Sequence, residues 1–211
     1  MALAHTRDAR TVDQQNRGPD AEHRARKQWV RDQVRRRRIT RGTEDNARLA
    51  HLFCARVLAL PEVDGADTVA AYVSTASEPG TGPLRSALRL RGTRVLLPVL
   101  RGDDDLDWAL DEGPLAPGRR PGIIEPIGPR LGPQALEGAA VVVCPATSAA
   151  RNGTRLGQGG GSYDRALARA TGLVAALVHD DEVVDELPRA PHDRPVDLVV
   201  TPTRTLRVNP S

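Results

Sequence analysis

The string Arg155-Leu156-Gly157-Gln158-Gly159-Gly160-Gly161-Ser162-Tyr163-Asp164-Arg165 holds the densest chemistry in this 211-residue chain. Glycine has no Cβ and reaches positive φ cheaply, so a loop built from it brings backbone N–H groups close to an anion. A helix starting just beyond would add partial positive charge at the same spot. Arg155 offers a planar fork of donors suited to phosphate. Asp164 sets a carboxylate where a phosphate-bound Mg²⁺ would sit. Together these residue types point to a metal-chelated polyphosphate. For the glycines alone, a flexible turn is the competing account.

Other residues could serve the same end. Lys27, the only lysine, and Arg31 lie four apart, so they share a helix face and could hold two phosphates, or merely be solvated. Glu78 follows an apolar run ending Tyr72-Val73-Ser74; it could accept hydrogen bonds from an amino-pyrimidine ring, or be a solvated loop acid. Arg35-Arg36-Arg37-Arg38 reads as a solvated helix face, with nucleic-acid contact as the alternative. His179-Asp180-Asp181-Glu182 resembles a metal cluster but reads as a solvated turn. Trp108 is a candidate stacking partner for a flat ligand, with core packing the expected role. No Ser-His-Asp or Cys-His set is evident.

These residues need elements to position them. Length suits one α/β domain. Hydrophobic residues make up 39% and aromatics 2%, so the core must be Val, Leu and Ala. Net charge is +3, with the excess in the first 41 residues. Cys54 and Cys144 fall in apolar runs and read as buried thiols. No apolar run approaches the roughly 20 residues of a membrane span, and no secretory signal opens the chain. A cytoplasmic setting with no membrane partner is expected. Residues 1–22 read as a disordered arm and 23–207 as one domain. Helices are predicted over Glu22–Arg41, Glu44–Leu60 with Thr43 as N-cap, Gly82–Leu90 and Tyr163–Ala170. Strands are predicted over Thr68–Ser74, Thr93–Leu100, Leu106–Leu110, Ala139–Cys144, Leu173–Val178 and Val196–Thr201. The segment Asp111–Gly138 reads as loops. This alternation implies a mostly parallel sheet flanked by helices, with ligand sites beyond the carboxyl ends of its strands.

The glycine string closely resembles the signature of the 5-formyltetrahydrofolate cyclo-ligase (5,10-methenyltetrahydrofolate synthetase) family. Four further segments are similar in the same order: Lys27-x-x-x-Arg31, the strand leading to Glu78 and Thr81, Gly122-Ile123-Ile124-Glu125-Pro126, and Leu187-Pro188 through His192-Asp193. The resemblance covers residues 24–206. It implies a single Rossmann-like domain similar to the sugar-phosphate isomerase and CoA-transferase-like fold. It implies ATP contacts at Lys27, Arg31, Arg155, Leu156, Gly157, Gln158, Gly159, Gly160, Gly161, Ser162 and Tyr163. Folate contacts are implied at Val73, Glu78 and Gln158 to Ser162. Mg²⁺ is implied on Asp164 and Asp193. Catalytic weight then falls on Lys27, Arg155 and Asp164. Many relatives carry Lys at the Gly160 position and an aromatic at the Ser162 position. Glu125 is either a supporting acid or a turn-fixing residue.

The implied reaction closes 5-formyltetrahydrofolate to 5,10-methenyltetrahydrofolate with ATP, through a phosphorylated formyl oxygen, giving ADP and phosphate. A monomer acting on small molecules is expected, and nucleic acid is not an expected partner. Two rivals remain. One is an ATP-independent enzyme of the isomerase or acyl-CoA transferase kind. The other is a nucleic-acid-binding protein using the basic first helix, against which the scarcity of aromatics argues.

Overall fold

The computed structural model describes residues 19–189 and 194–208. Helix α1 runs Pro19–Ile39 and α2 Thr43–Leu58. Strand β1 (Thr68–Ala70), α3 (Gly82–Leu90), β2 (Arg94–Leu100) and β3 (Leu106–Leu110) follow. A small hairpin joins β4 (Leu115–Pro117) to β5 (Ile124–Pro126). A 3₁₀ turn at Pro133–Gly138 leads to β6 (Val141–Pro145), β7 (Ser148–Ala150) and β8 (Arg155–Leu156). Then come α4 (Ser162–Leu167), β9 (Leu173–Leu177), a second 3₁₀ turn at Asp180–Glu182, β10 (Val183–Val184), β11 (Leu198–Val200) and β12 (Thr205–Arg207).

Seven strands form the main sheet in the order β12-β11-β9-β6-β1-β2-β3. The inner five are parallel, and β12 and β3 close the edges antiparallel. A parallel sheet is covered on both faces, so its strands read as continuous apolar runs while successive side chains still alternate faces. Val69, Val141, Val143, Ala175 and Leu177 pack with Phe53, Val57, Leu84 and Leu88 of α2 and α3. Ala70, Val142, Cys144, Val174 and Ala176 pack on the other face with Trp108, Leu136 and Leu167. Trp108 is fully buried there, a core residue rather than a stacking platform. Both cysteines are free and buried. No helix among the described residues is long and apolar enough to cross a membrane.

Several boundaries differ from expectation. Helix α1 starts at Pro19, whose fixed φ suits a first helical position, so residues 19–22 are not part of an arm; residues 1–18 lie outside the described residues. The N-cap of α2 is Gly42 with no side-chain cap bond, and Thr43 is already helical. Strand β1 stops at Ala70. Beyond it the chain bonds to itself: Tyr72 Oη donates to Pro79 O, Thr81 Oγ1 to Tyr72 O, and Thr75 N to a Glu78 carboxylate oxygen. Helix α4 ends at Leu167. The segment expected as loops contains the β4–β5 hairpin. A small sheet, β10-β7-β8, was not foreseen; it separates β6 from the glycine loop.

Candidate functional site

A cleft of about 370 Å³ opens past the carboxyl ends of β1, β2 and β6, where the strand order turns back on itself. Strand β1 runs out into Tyr72, Val73 and Glu78. Pro98 and Leu100 come from β2, Pro145 and Ala146 from the end of β6, and Lys27 and Arg31 from α1. The floor is the unbroken run Arg155 to Asp164. Sequence-predicted residues from the first helix, the first strand's exit and the glycine loop therefore share one cavity. Asp193, the second expected metal ligand, lies outside the described residues, as does His192.

The glycine loop is crowded by guanidinium groups. Gly159 has φ of 103°, a conformation glycine adopts freely. A Cβ there would stand 3.5 Å from Arg31, and one on Gly160 only 2.5 Å from Arg120 Nη1. Arg155 and Arg165 press on Gly157 and Gly161 in the same way. The missing side chains thus admit cations to the loop as well as freeing its backbone. Arg31 Nε donates to Gly157 O at 2.9 Å. Burial holds Arg31 below its ordinary pKa despite the Asp164 and Asp32 carboxylates, so a further anion there would relieve it. Helix α4 has only six residues, so the arginines outweigh any helix dipole.

Arg155 is not simply aimed at a ligand. Its side chain is 3% exposed and its Nη2 is paired with Asp164 Oδ1. Nη1 donates to Pro145 O at 3.3 Å, and the guanidinium lies 5.9 Å from the Tyr163 ring centroid. Arg155 Nε, Ser162 Oγ and Tyr163 Oη are buried with no hydrogen-bond partner among the described residues. All three belong to residues lining the cleft. Burial, with the nearby Cys144 and Glu78, raises the Tyr163 phenol well above its ordinary pKa, so it stays a neutral donor. Burial likewise pushes the Cys144 thiol up to about 11, which removes it as a nucleophile.

Mg²⁺ is testable against the donor set. One Asp164 oxygen is engaged by Arg155, which leaves at most the other for a cation. No group of three metal-ligating side chains occurs among the described residues. Mg²⁺ usually takes one or two protein carboxylates with phosphates and waters completing its shell. Asp164 therefore fits an ion that arrives on phosphate, and no site for a protein-caged ion is evident among the described residues.

The rest of the cleft is mixed. Glu78 is half-buried, with one oxygen accepting from Thr75 N at 2.9 Å. Burial and the Glu78 charge raise the buried Tyr72 phenol well above its ordinary pKa. Ile123 and Ile124 of the β4–β5 hairpin add apolar wall. Glu125 is buried and accepts from Leu100 N at 3.0 Å, clamping β5 to β2. Glu125 thus fixes the hairpin to the sheet while also lining the cleft.

At the other end of α1 two expectations fail together. Arg38 is not a solvated charge, and His179–Glu182 is not a solvated turn. Arg38 is 4% exposed and Glu182 fully buried. They form a two-pronged pair: Arg38 Nε to Glu182 Oε1 at 2.8 Å and Nη2 to Oε2 at 2.7 Å. Arg38 Nη2 also donates to Ala146 O at 2.7 Å, and Glu182 accepts from His179 N at 2.8 Å. Burial alone would raise the Glu182 carboxyl, but the Arg38 bonds and charge hold it below the usual range. Burial drops His179 to about 4, helped by Arg41 and Arg38, so it is neutral. This lock ties α1 to the segment just past β6. The sequence carries no local sign of it, because its halves lie 144 residues apart. Arg120 was missed for a related reason, since only the hairpin's path brings it over Gly160.

Comparison with known proteins agrees with the geometry. A family model described as the 5-formyltetrahydrofolate cyclo-ligase family matches residues 23–202. The chain is similar to the 5-formyltetrahydrofolate cyclo-ligase of Mycolicibacterium smegmatis, 44% identical over 144 residues, covering 65% of this chain and 74% of that protein. It is 32% identical over 178 residues to the Escherichia coli protein of the same name, covering 81% and 97%. The solved Aquifex aeolicus 5,10-methenyltetrahydrofolate synthetase superposes with a TM-score of 0.75 at 30% identity, over 88% of this chain and 94% of that one. A 5,10-methenyltetrahydrofolate synthetase from Mycoplasma pneumoniae shares the fold, with a TM-score of 0.65 at 18% identity over 87% and 99%.

Proposed function

The chain belongs to the 5-formyltetrahydrofolate cyclo-ligase family, and on that premise we propose that it closes 5-formyltetrahydrofolate to 5,10-methenyltetrahydrofolate at the cost of one ATP. The observation that carries the reading is the cation-crowded glycine loop, which shares a single cleft with Glu78 and a set of apolar residues.

A formamide oxygen is a poor leaving group. In the proposed sequence it attacks the γ-phosphorus of ATP, the bond to the ADP oxygen breaks, and ADP departs. N10 of the folate then attacks the activated formyl carbon. The carbon–oxygen bond breaks, inorganic phosphate leaves, and the new C–N bond completes the ring. Phosphoryl transfer of this kind needs positioning and charge neutralisation more than a protein nucleophile.

The chain's residues fit those tasks. Lys27, Arg31 and the amides from Leu156 to Ser162 hold the phosphates. Arg155 steadies Asp164 and shares its charge with the cleft. Tyr163 and Ser162 offer hydroxyls to ligand oxygens, and Glu78 takes the amino-pyrimidine edge while Val73 packs beside it. Bound with the nucleotide on Asp164, and on Asp193 if that residue reaches it, Mg²⁺ would neutralise charge on the β- and γ-phosphates. With a small serine at position 162, the pterin takes its flat contacts elsewhere on the cleft wall, where Tyr72, Tyr163, Ile123 and Ile124 stand.

The test is direct. Purified protein is mixed with Mg·ATP and 5-formyltetrahydrofolate, and the methenyl absorbance is followed. Product should form only when all three are present. Product without ATP, or none with it, rejects the reading.

A further inference from the structure

Three cations on this cleft, Lys27, Arg31 and Arg155, come from the helix and loop that the sequence singled out. A fourth comes from a segment with no assigned part in the site. Arg120 sits in the turn between β4 and β5 and lines the cavity. Its Nη2 donates to Asp104 Oδ1 at 2.7 Å, while Nη1 stands where a Gly160 side chain would begin. Asp104 is the only non-glycine residue with positive φ among the described residues, at 63°. Its backbone oxygen accepts from Arg165 Nη2 at 2.7 Å. The β2–β3 turn therefore braces two arginines against the glycine loop.

The charge balance around that loop is uneven. Arg31, Arg120, Arg155 and Arg165 all lie against its glycines. Among the described residues the carboxylates ion-paired with those four are Asp104 and Asp164, with Asp32 a further charge acting on Arg31. Arg31 and Arg120 approach successive residues, Gly159 and Gly160. Guanidinium groups gathered on one loop repel, and an anion placed among them lowers that repulsion. An Arg fork matches a phosphate better than a single point charge does.

We propose that Arg120 is a phosphate-binding residue of this cleft, gripping the terminal phosphates of the bound nucleotide from above Gly160. The assignment rests on the ATP-dependent reading of the site. It also gives Gly160 a reason: a Cβ there would stand 2.5 Å from Arg120 Nη1 and push the guanidinium aside.

Calorimetry on the full chain tests it, with Mg·ATP, AMP and 5-formyltetrahydrofolate as separate probes. Arg120→Ala should weaken Mg·ATP about tenfold, the usual scale for one charge-assisted bond. AMP and 5-formyltetrahydrofolate should bind as they do to the wild type. Arg120→Lys, which keeps a charge, should lose less. Gly160 has φ outside the left-handed region, so Gly160→Ala is tolerated by the backbone; by displacing the guanidinium tip it should lose part of what Arg120→Ala loses, with no further loss in the double variant. Unchanged Mg·ATP affinity in Arg120→Ala, an equal loss for AMP, a loss confined to 5-formyltetrahydrofolate, or additive losses in the double variant would each overturn the proposal. Wild-type protein that binds Mg·ATP yet forms no methenyl product would sink the reaction and leave Arg120 standing. Wild-type protein that does not bind Mg·ATP would sink both.

Discussion

Arg31 and Arg38 lie two turns apart on the same face of α1, yet they do opposite things. Arg38 meets a buried carboxylate with two bonds and a carbonyl with a third, and its neighbours His179 and Glu182 are themselves engaged. Arg31 meets one neutral carbonyl, Gly157 O, beside a loop where three more guanidinium groups gather. In the first, charge is matched by charge, although His179 Nδ1 is buried without a partner among the described residues. The second gathers more guanidinium groups than ion-paired carboxylates at a cavity. A charge whose partners are all present holds the fold together, and a charge held short of partners marks a place for a ligand. One helix carries both, so the lock at its C-terminal half aims the cations of its N-terminal half.

The contrast has a scale. Arg38→Ala should cost the most, about 3 kcal/mol, because the buried Glu182 would keep only the longer Arg41 pair at 3.3 Å; urea unfolding measures it. A cost near zero would mean that the pair is not the lock described. Acid comes next. His179 is held near 4 in the fold against about 6.5 when unfolded. Between those values the unfolded chain takes up a proton that the native chain refuses. Stability therefore falls as pH drops from 6.5 to 4, by roughly 3 kcal/mol. Glu182 works in the same direction, since its depressed carboxyl adds stability above its free value and loses it as pH falls further. Unfolding curves at pH 7, 5.5 and 4.5 should show the slope, and His179→Phe should flatten it.

On the cleft side the effects move to catalysis. Asp164→Asn should lower turnover on the order of 100-fold, about 2.7 kcal/mol in the barrier, through loss of the carboxylate proposed to meet Mg²⁺ and of the Arg155 pair. Undiminished methenyl formation by that variant would reject its role. Arg31→Ala should be mildest, raising the ATP KM about tenfold while moving the melting temperature by only a degree or two. A stability loss matching that of Arg38→Ala would erase the distinction between the two arginines.

What could be read beforehand was what is local. The loop of Gly157 to Gly161, the Lys27 and Arg31 spacing, and the exit of β1 toward Glu78 each lie within a few consecutive residues. The parallel sheet was legible for the same reason, since Val141 to Cys144 and Leu173 to Leu177 are long enough to declare themselves. Strands of two or three residues, such as β8 and β10, carry too little period to be seen. Arg38 with Glu182, and Arg120 with Gly160, needed the chain path itself. Composition misled at Arg38: a run of four arginines looks solvated until one of them turns inward.

Lys27, the single lysine, stands on the wall of the cleft. An amine-selective acylating reagent therefore has one side chain to modify in the whole molecule, at the mouth of the nucleotide's proposed seat. The mass added there, and its suppression by bound Mg·ATP, would report occupancy without any engineered label.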